Sequence, residues 1–204
     1  MFRTKCIILK RKLLNDSNVW YTLFSEDFWK INAFWKERKK SKPLDVWIIV
    51  IMKLKTKSKV STITSYDIFK SVPYHNWTLE WYNSYLKLLH YLNLSIPMWL
   101  EYPNIFLGYS KLLDTLKLDN SWKISLFFLY KISFILWINT LNLDIKNSSN
   151  SNNFSKINKK VLETLDKIKS SKIDDLLDLE LNTQELNILE SIIKESYANY
   201  VSRG

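Results

Sequence analysis

The hydrophobic repeat changes once along this chain, near residue 75, and that change divides what each half can become. Before it, apolar residues come in short β-branched and aromatic runs, the signature of half-buried strands. Thr4–Lys10, Val19–Phe24, Ile31–Phe34, Leu44–Leu54 with its apolar centre Val46–Met52, and Val60–Tyr66 read as five strands. Asn15-Asp16-Ser17-Asn18 supplies turn chemistry, and Ser25–Trp29 a hairpin connection. Five strands with no helical period between them predict a small barrel rather than a parallel sheet. After Pro73 the spacing becomes three and four. Leu79, Tyr82, Tyr85, Leu86, Leu88, Leu89 and Leu92 predict a helix, and Pro97 and Pro103 punctuate a break. Ile105–Leu118 follows, then Trp122–Ile138, apolar almost all round and so the expected centre of a bundle. Ile157–Ile168 and Thr183–Val201 are amphipathic, the latter with Thr183 as cap before Leu186, Leu189, Ile192 and Ile193. Asn147–Asn153 reads as a flexible surface loop, and there are no internal repeats.

Charge divides the chain at almost the same place. Residues 1–80 hold 16 Lys+Arg against 7 Asp+Glu, a net +9, whereas residues 81–204 hold 14 against 13, a net +1. Codon bias toward lysine would act on both halves alike, so the front half is expected to face a polyanion. One cysteine, Cys6, excludes an internal disulfide framework and a cysteine-rich zinc site. The longest apolar stretch, Ile124–Ile138, is 15 residues interrupted by Lys131, too short and too charged to span a bilayer. The expectation is a soluble, cytoplasmic protein with no membrane partner.

Two glycines stand where average usage would give roughly 14. Nine tryptophans stand beside them: Trp20, Trp29, Trp35, Trp47, Trp77, Trp81, Trp99, Trp122 and Trp137.

Cys6-Ile7-Ile8-Leu9-Lys10, Asp16–Phe24 and the segment Trp29-Lys30-Ile31-Asn32-Ala33-Phe34-Trp35-Lys36-Glu37-Arg38-Lys39-Lys40-Ser41-Lys42 resemble the RecO family of bacterial recombination mediators. The specific motifs cover the first third; over the rest the likeness is architectural, with Leu186–Tyr200 loosely like the family's last helix. The resemblance implies an α+β chain: a five-stranded OB-fold barrel over 1–75, then an α-helical partner-docking domain over 76–204. It implies binding of single- and double-stranded DNA without sequence preference, annealing of complementary strands, and loading of the recombinase RecA. The implied partners are RecR, the RecA filament and the acidic tail of the single-strand-binding protein. This chain departs from the family in two ways. The four-cysteine zinc site of many members has no counterpart after Cys6, so no metal or other cofactor is expected. Trp29 and Trp35 stand where the family has glycine, and Trp137 where the central helix usually ends in one. Two readings follow: UGA specifies glycine in this gene, or the indoles are real and stack on bases. The codons decide, and UGG at Trp29 and Trp35 would end the first reading.

No catalytic constellation is visible. His75 and His90 are isolated, with His90 expected at a core or boundary position; Cys6 reads as a small buried hydrophobe, and Asp174, Asp175 and Asp178 as a solvated helix face. No glycine-rich phosphate loop appears. Binding remains. Lys30, Lys36, Arg38, Lys39, Lys40 and Lys42 around the third strand are the candidate nucleic-acid contacts, and about five neutralised phosphates give a log–log salt slope of roughly −3.5 to −4.5. Lys53, Lys55, Lys57 and Lys59 form a second basic patch, which reads equally as a strand edge guarded against pairing. Phe34 and Tyr21 are candidates for stacking or for barrel core. An RNA- or ribosome-associated OB protein is the alternative, although such proteins normally lack a helical domain of this size.

Overall fold

A computed structural model describes residues 1–15, 17–28, 30–36, 44–46, 48–56, 60–71, 78–98, 102–115, 121–136, 138, 159–172 and 174–202. Five strands, β1 (Phe2–Asn15), β2 (Asn18–Ser25), β3 (Lys30–Lys36), β4 (Ile48–Thr56) and β5 (Ser61–Ser71), close into a barrel in the order β1-β2-β3-β5-β4. β1, β2 and β3 form an antiparallel meander, and β4 pairs antiparallel with both β1 and β5. A parallel seam joins β3 to β5, through Ala33↔Ser61 and Phe34↔Thr62. This is an OB-like barrel.

The period-two pattern accounts for its interior. Cys6, Ile8, Val19, Tyr21, Leu23, Ile31, Ala33, Val50, Met52, Leu54 and Ile63 form one buried cluster. Tyr21, whose ring is fully buried, donates its hydroxyl to the Leu44 carbonyl at 3.3 Å. β1 and β5 run furthest past the ends expected from sequence, while β4 begins only at Ile48, after the expected Leu44. β1 continues through Lys10-Arg11-Lys12 to Asn15, because those residues pair with Thr22, Tyr21 and Trp20 of β2 even where their side chains are polar. β5 continues beyond Tyr66 because β4 needs Ile68 and Lys70 as ladder partners for Val50 and Ile49. The hairpin closes at Asn15↔Asn18, where the Ser17 amide donates to Asn15 Oδ1 at 3.3 Å, so the turn falls where its residue types place it. β1 also carries two bulges, at Ile8/Lys10 and Leu13/Asn15, which leave Leu9 and Leu14 as the extra residues.

The chain forms two compact units, each from two stretches: residues 1–77 with 96–113, and 78–95 with 114–204. Helix α2 (Pro103–Thr115) therefore belongs with the barrel. By strand alternation Phe24 faces outward, yet it is buried because Phe106 of α2 packs on it with ring centroids 5.8 Å apart. The Lys70 ammonium donates to the Ser110 carbonyl at 2.9 Å.

The second unit contains α1 (Leu79–Ser95), α3 (Ser121–Ile135), α4 (Lys159–Ser170) and α5 (Thr183–Ser202), with a short 3-10 turn at Asp174–Asp178. Thr78 caps α1 by accepting the Trp81 amide at 3.1 Å, and Trp81, Tyr85, Leu88, Leu89 and Leu92 form its buried stripe. α3 packs against α1, α4 and α5, so the apolar helix is central as its composition requires. Lys131, the charge that interrupts its apolar run, donates to the carbonyls of Ile168, Lys169 and Ser171 and so caps the C-terminus of α4. Two sequence expectations need correction. The cap of α5 is Asn182 rather than Thr183: Asn182 Oδ1 accepts the Glu185 amide at 2.9 Å while Glu185 Oε2 accepts the Asn182 amide at 2.8 Å, a reciprocal capping box. His90 is exposed on α1, because the buried stripe runs through Leu88, Leu89 and Leu92 instead. The Asn147–Asn153 loop lies outside the described residues. Among those described, no helix is long and apolar enough to cross a membrane.

Candidate nucleic-acid interface

On β2 the inward residues are Val19, Tyr21 and Leu23, so Trp20 and Thr22 point out; on β3, Ile31 and Ala33 point in and Asn32 and Phe34 out. Ladder register then joins residues from all five strands into one outward row. Lys12 pairs with Trp20, Trp20 with Phe34, Phe34 with Thr62, and Thr62 with Lys55. Four strand steps of about 4.8 Å give an arc of about 19 Å, long enough for about five stacked nucleotides at about 3.4 Å each. Two half-buried aromatic side chains occupy its middle and an exposed lysine each end. The next row is polar: Lys10 pairs with Thr22 and Thr22 with Asn32, and Thr22 Oγ1 donates to Asn32 Oδ1 at 3.2 Å.

The barrel's cations fall into two groups. Lys5 pairs with Glu26 at 3.0 Å and Arg3 with Asp67 at 3.7 Å. The half-buried Lys30 ammonium donates to the Ile96 carbonyl at 3.2 Å, beside a parallel bridge from Lys30 to Met98, and burial pushes its ammonium down from the ordinary lysine value. By contrast, Lys10, Lys12, Lys36, Lys53 and Lys55 are exposed and make no ion pair with any described residue. Five surface ammonium groups that pair with no described carboxylate offer the positive charge that phosphate binding draws on.

Of the residues singled out from sequence, Lys36 lies at the end of β3, opposite Asn18, and Lys53 and Lys55 lie on the outward side of β4. Arg38, Lys39, Lys40, Lys42, Lys57 and Lys59 lie outside the described residues. The two stacking candidates separate: Tyr21 belongs to the core, and Phe34 to the outward row. Sequence reasoning did not select Lys10, Lys12 or Trp20. Their signal was the Lys10-Arg11-Lys12 triplet, but only the β1–β2 register sets Lys12 beside an outward indole.

The tryptophans do not share one environment. Trp81 is buried and stacked on Tyr85, with centroids 5.2 Å apart and planes 7° from parallel. Trp35 packs against the barrel core edge-on to Tyr66 at 5.5 Å, and its Nε1 is buried with no hydrogen-bond partner among the described residues. An unsatisfied buried N–H costs about 1–3 kcal/mol, which a glycine at 35 would not incur.

Reactive groups are scarce here. Cys6 is buried, and burial, with the Asp27 carboxylate second, pushes its thiol well above the ordinary range, which suits packing rather than nucleophilic attack. Asp175 accepts the Lys172 amide at 2.9 Å, closing the 3-10 turn. No three of the described His, Cys, Asp and Glu residues group as metal ligands. The fold and surface thus define an OB-like barrel with a cationic, aromatic outer strip. No protein-family model matches the chain, and no curated protein matches it.

Proposed function

We propose that this protein is a DNA repair and recombination mediator of the RecO type, which binds DNA without sequence preference and anneals complementary strands. The observation that carries the reading is the outward row Lys12–Trp20–Phe34–Thr62–Lys55. Ring faces in the middle stack bases of any identity, and lysines at both ends hold the phosphates beside them. Annealing then needs no bond-making. A polycation lowers the repulsion between two strands while their pairing edges stay free, so the protein is a binder and not an enzyme. The sequence likeness to the family supports assigning RecR, RecA and the tail of the single-strand-binding protein as partners, and the cytoplasm as the place of action.

The test is fluorescence anisotropy on a labelled single strand, together with annealing of two complementary strands. Phe34→Ala is expected to weaken single-strand binding by about 1–3 kcal/mol and slow annealing, with the far-UV CD spectrum unchanged. Lys12→Ala with Lys36→Ala and Lys55→Ala is expected to flatten the salt slope by roughly 2 to 3, at about 0.7–0.9 per contact. Unchanged binding in both variants would remove the site. Tighter binding to structured RNA than to DNA, with no annealing, would replace the function by an RNA-associated one.

A further inference from the structure

The tip of the β1–β2 hairpin exposes two consecutive leucines. Leu13 is 59% exposed and Leu14 50%, although both lie within β1. Leu14 is the extra residue of a bulge between the pairs Leu13↔Val19 and Asn15↔Asn18, so no β2 residue opposes it. Bulges of this kind re-aim a side chain. Lys10 and Lys12 precede the leucines on the same strand, and Lys36 enters from β3 opposite Asn18. None of these three lysines pairs with a described carboxylate. Two large apolar side chains on a hairpin that also carries exposed lysines, none of them paired with a described carboxylate, are complementary to a base stack held between two phosphate chains. Apolar wedges inserted at base steps unstack them and bend or open the duplex.

We propose that Leu13 and Leu14 form a wedge that enters the first base step at a junction of single-stranded and duplex DNA. This deepens the DNA-binding reading above and rests on it. The outward row holds the single strand, while the leucines unstack the pair at the fork. Such a wedge suits an annealing protein, since a mispaired junction is the step that must reopen.

The experiment uses the full chain and a tailed duplex carrying 2-aminopurine at its first paired position, with anisotropy followed in parallel. Binding is expected to raise the 2-aminopurine fluorescence about twofold or more as the base unstacks, while the same probe deep within the duplex stays dark. Leu13→Ser with Leu14→Ser is expected to abolish the rise at protein concentrations where anisotropy shows the tailed duplex saturated. Leu14→Asn alone, the milder change, is expected to reduce it. Binding without a fluorescence rise in the parent, or an undiminished rise in the double variant, overturns the wedge and leaves the DNA-binding reading standing. No binding of the parent to any DNA overturns both. If the parent instead floats with phosphatidylcholine–phosphatidylglycerol vesicles and the double variant does not, the leucines serve a lipid surface and the wedge is wrong.

Discussion

The sealed interior of the barrel is mostly aliphatic, whereas that of the helical unit carries many aromatic rings. The barrel's buried cluster is aliphatic apart from Tyr21, while Trp20 and Phe34 stand half-buried on its outer wall. The helical unit instead buries Trp81, Tyr85, Phe127, Phe128, Tyr130 and Tyr197. Geometry explains the contrast. A five-stranded barrel has a lumen only as wide as the small and branched side chains that fill it. Helices packed about 8–10 Å apart leave grooves into which whole rings fit. In the barrel unit an aromatic residue can pack, as Phe24 and Trp35 do, or stand on the outer wall, as Trp20 and Phe34 do, so the 15% aromatic content says nothing about binding until the fold is known.

Phe106 tests this contrast most severely, because it converts the outward Phe24 from platform into packing. Phe106→Ala is expected to cost about 3–5 kcal/mol, read as a lowered urea midpoint of the barrel. A loss below about 1 kcal/mol would detach α2 from the barrel's stability. Alkaline titration separates the two units next. Burial raises the Cys6 thiol above its ordinary 9.0 and the Tyr197 hydroxyl above its ordinary 10.0. Each stays protonated in the folded chain while the unfolded chain ionises, so the unfolded state binds fewer protons and stability falls as pH rises. The slope is about 1.4 kcal/mol per pH unit for each group, beginning near pH 9.0 for the barrel and pH 10.0 for the helical unit. Urea midpoints followed across that range should fall in that order, and Cys6→Ala should remove the earlier loss alone. Asn182→Ala, which breaks one half of the capping box, is expected to cost about 1 kcal/mol in the helical unit and leave DNA binding untouched. The smallest effect belongs to Lys55→Ala alone. It should leave the midpoint unchanged and reduce the magnitude of the salt slope by about 0.7–0.9.

Much of this was legible in advance, and what was missed has identifiable causes. The five strands and five helices follow from the repeat, because an apolar period of two or of three to four survives whatever the chain packs against. Helix and strand ends were less visible. β5 runs on through Ile68 and Phe69, which are exposed and break the alternation, and Asn182 rather than Thr183 caps α5 because its side chain meets the amide three residues on. The candidate site was half legible. Of the cations chosen from sequence, Lys36, Lys53 and Lys55 lie exposed on the barrel, but Lys30 turns its ammonium toward the Ile96 carbonyl, a partner 66 residues away that local sequence cannot announce.

The amino-acid order alone determined which segments are strands, which are helices, that the positive charge sits in the first 80 residues, and that Lys131 interrupts an otherwise apolar helix. Each of these is a local property, set by neighbours within a turn or a pleat. Only the tertiary structure decided that Lys12, Trp20, Phe34, Thr62 and Lys55 share one row, that α2 joins the barrel, and that a bulge frees Leu14 at the hairpin tip. The reason is register: a slip of one residue sends a side chain to the opposite face of a sheet, and no local pattern records which strand lies alongside.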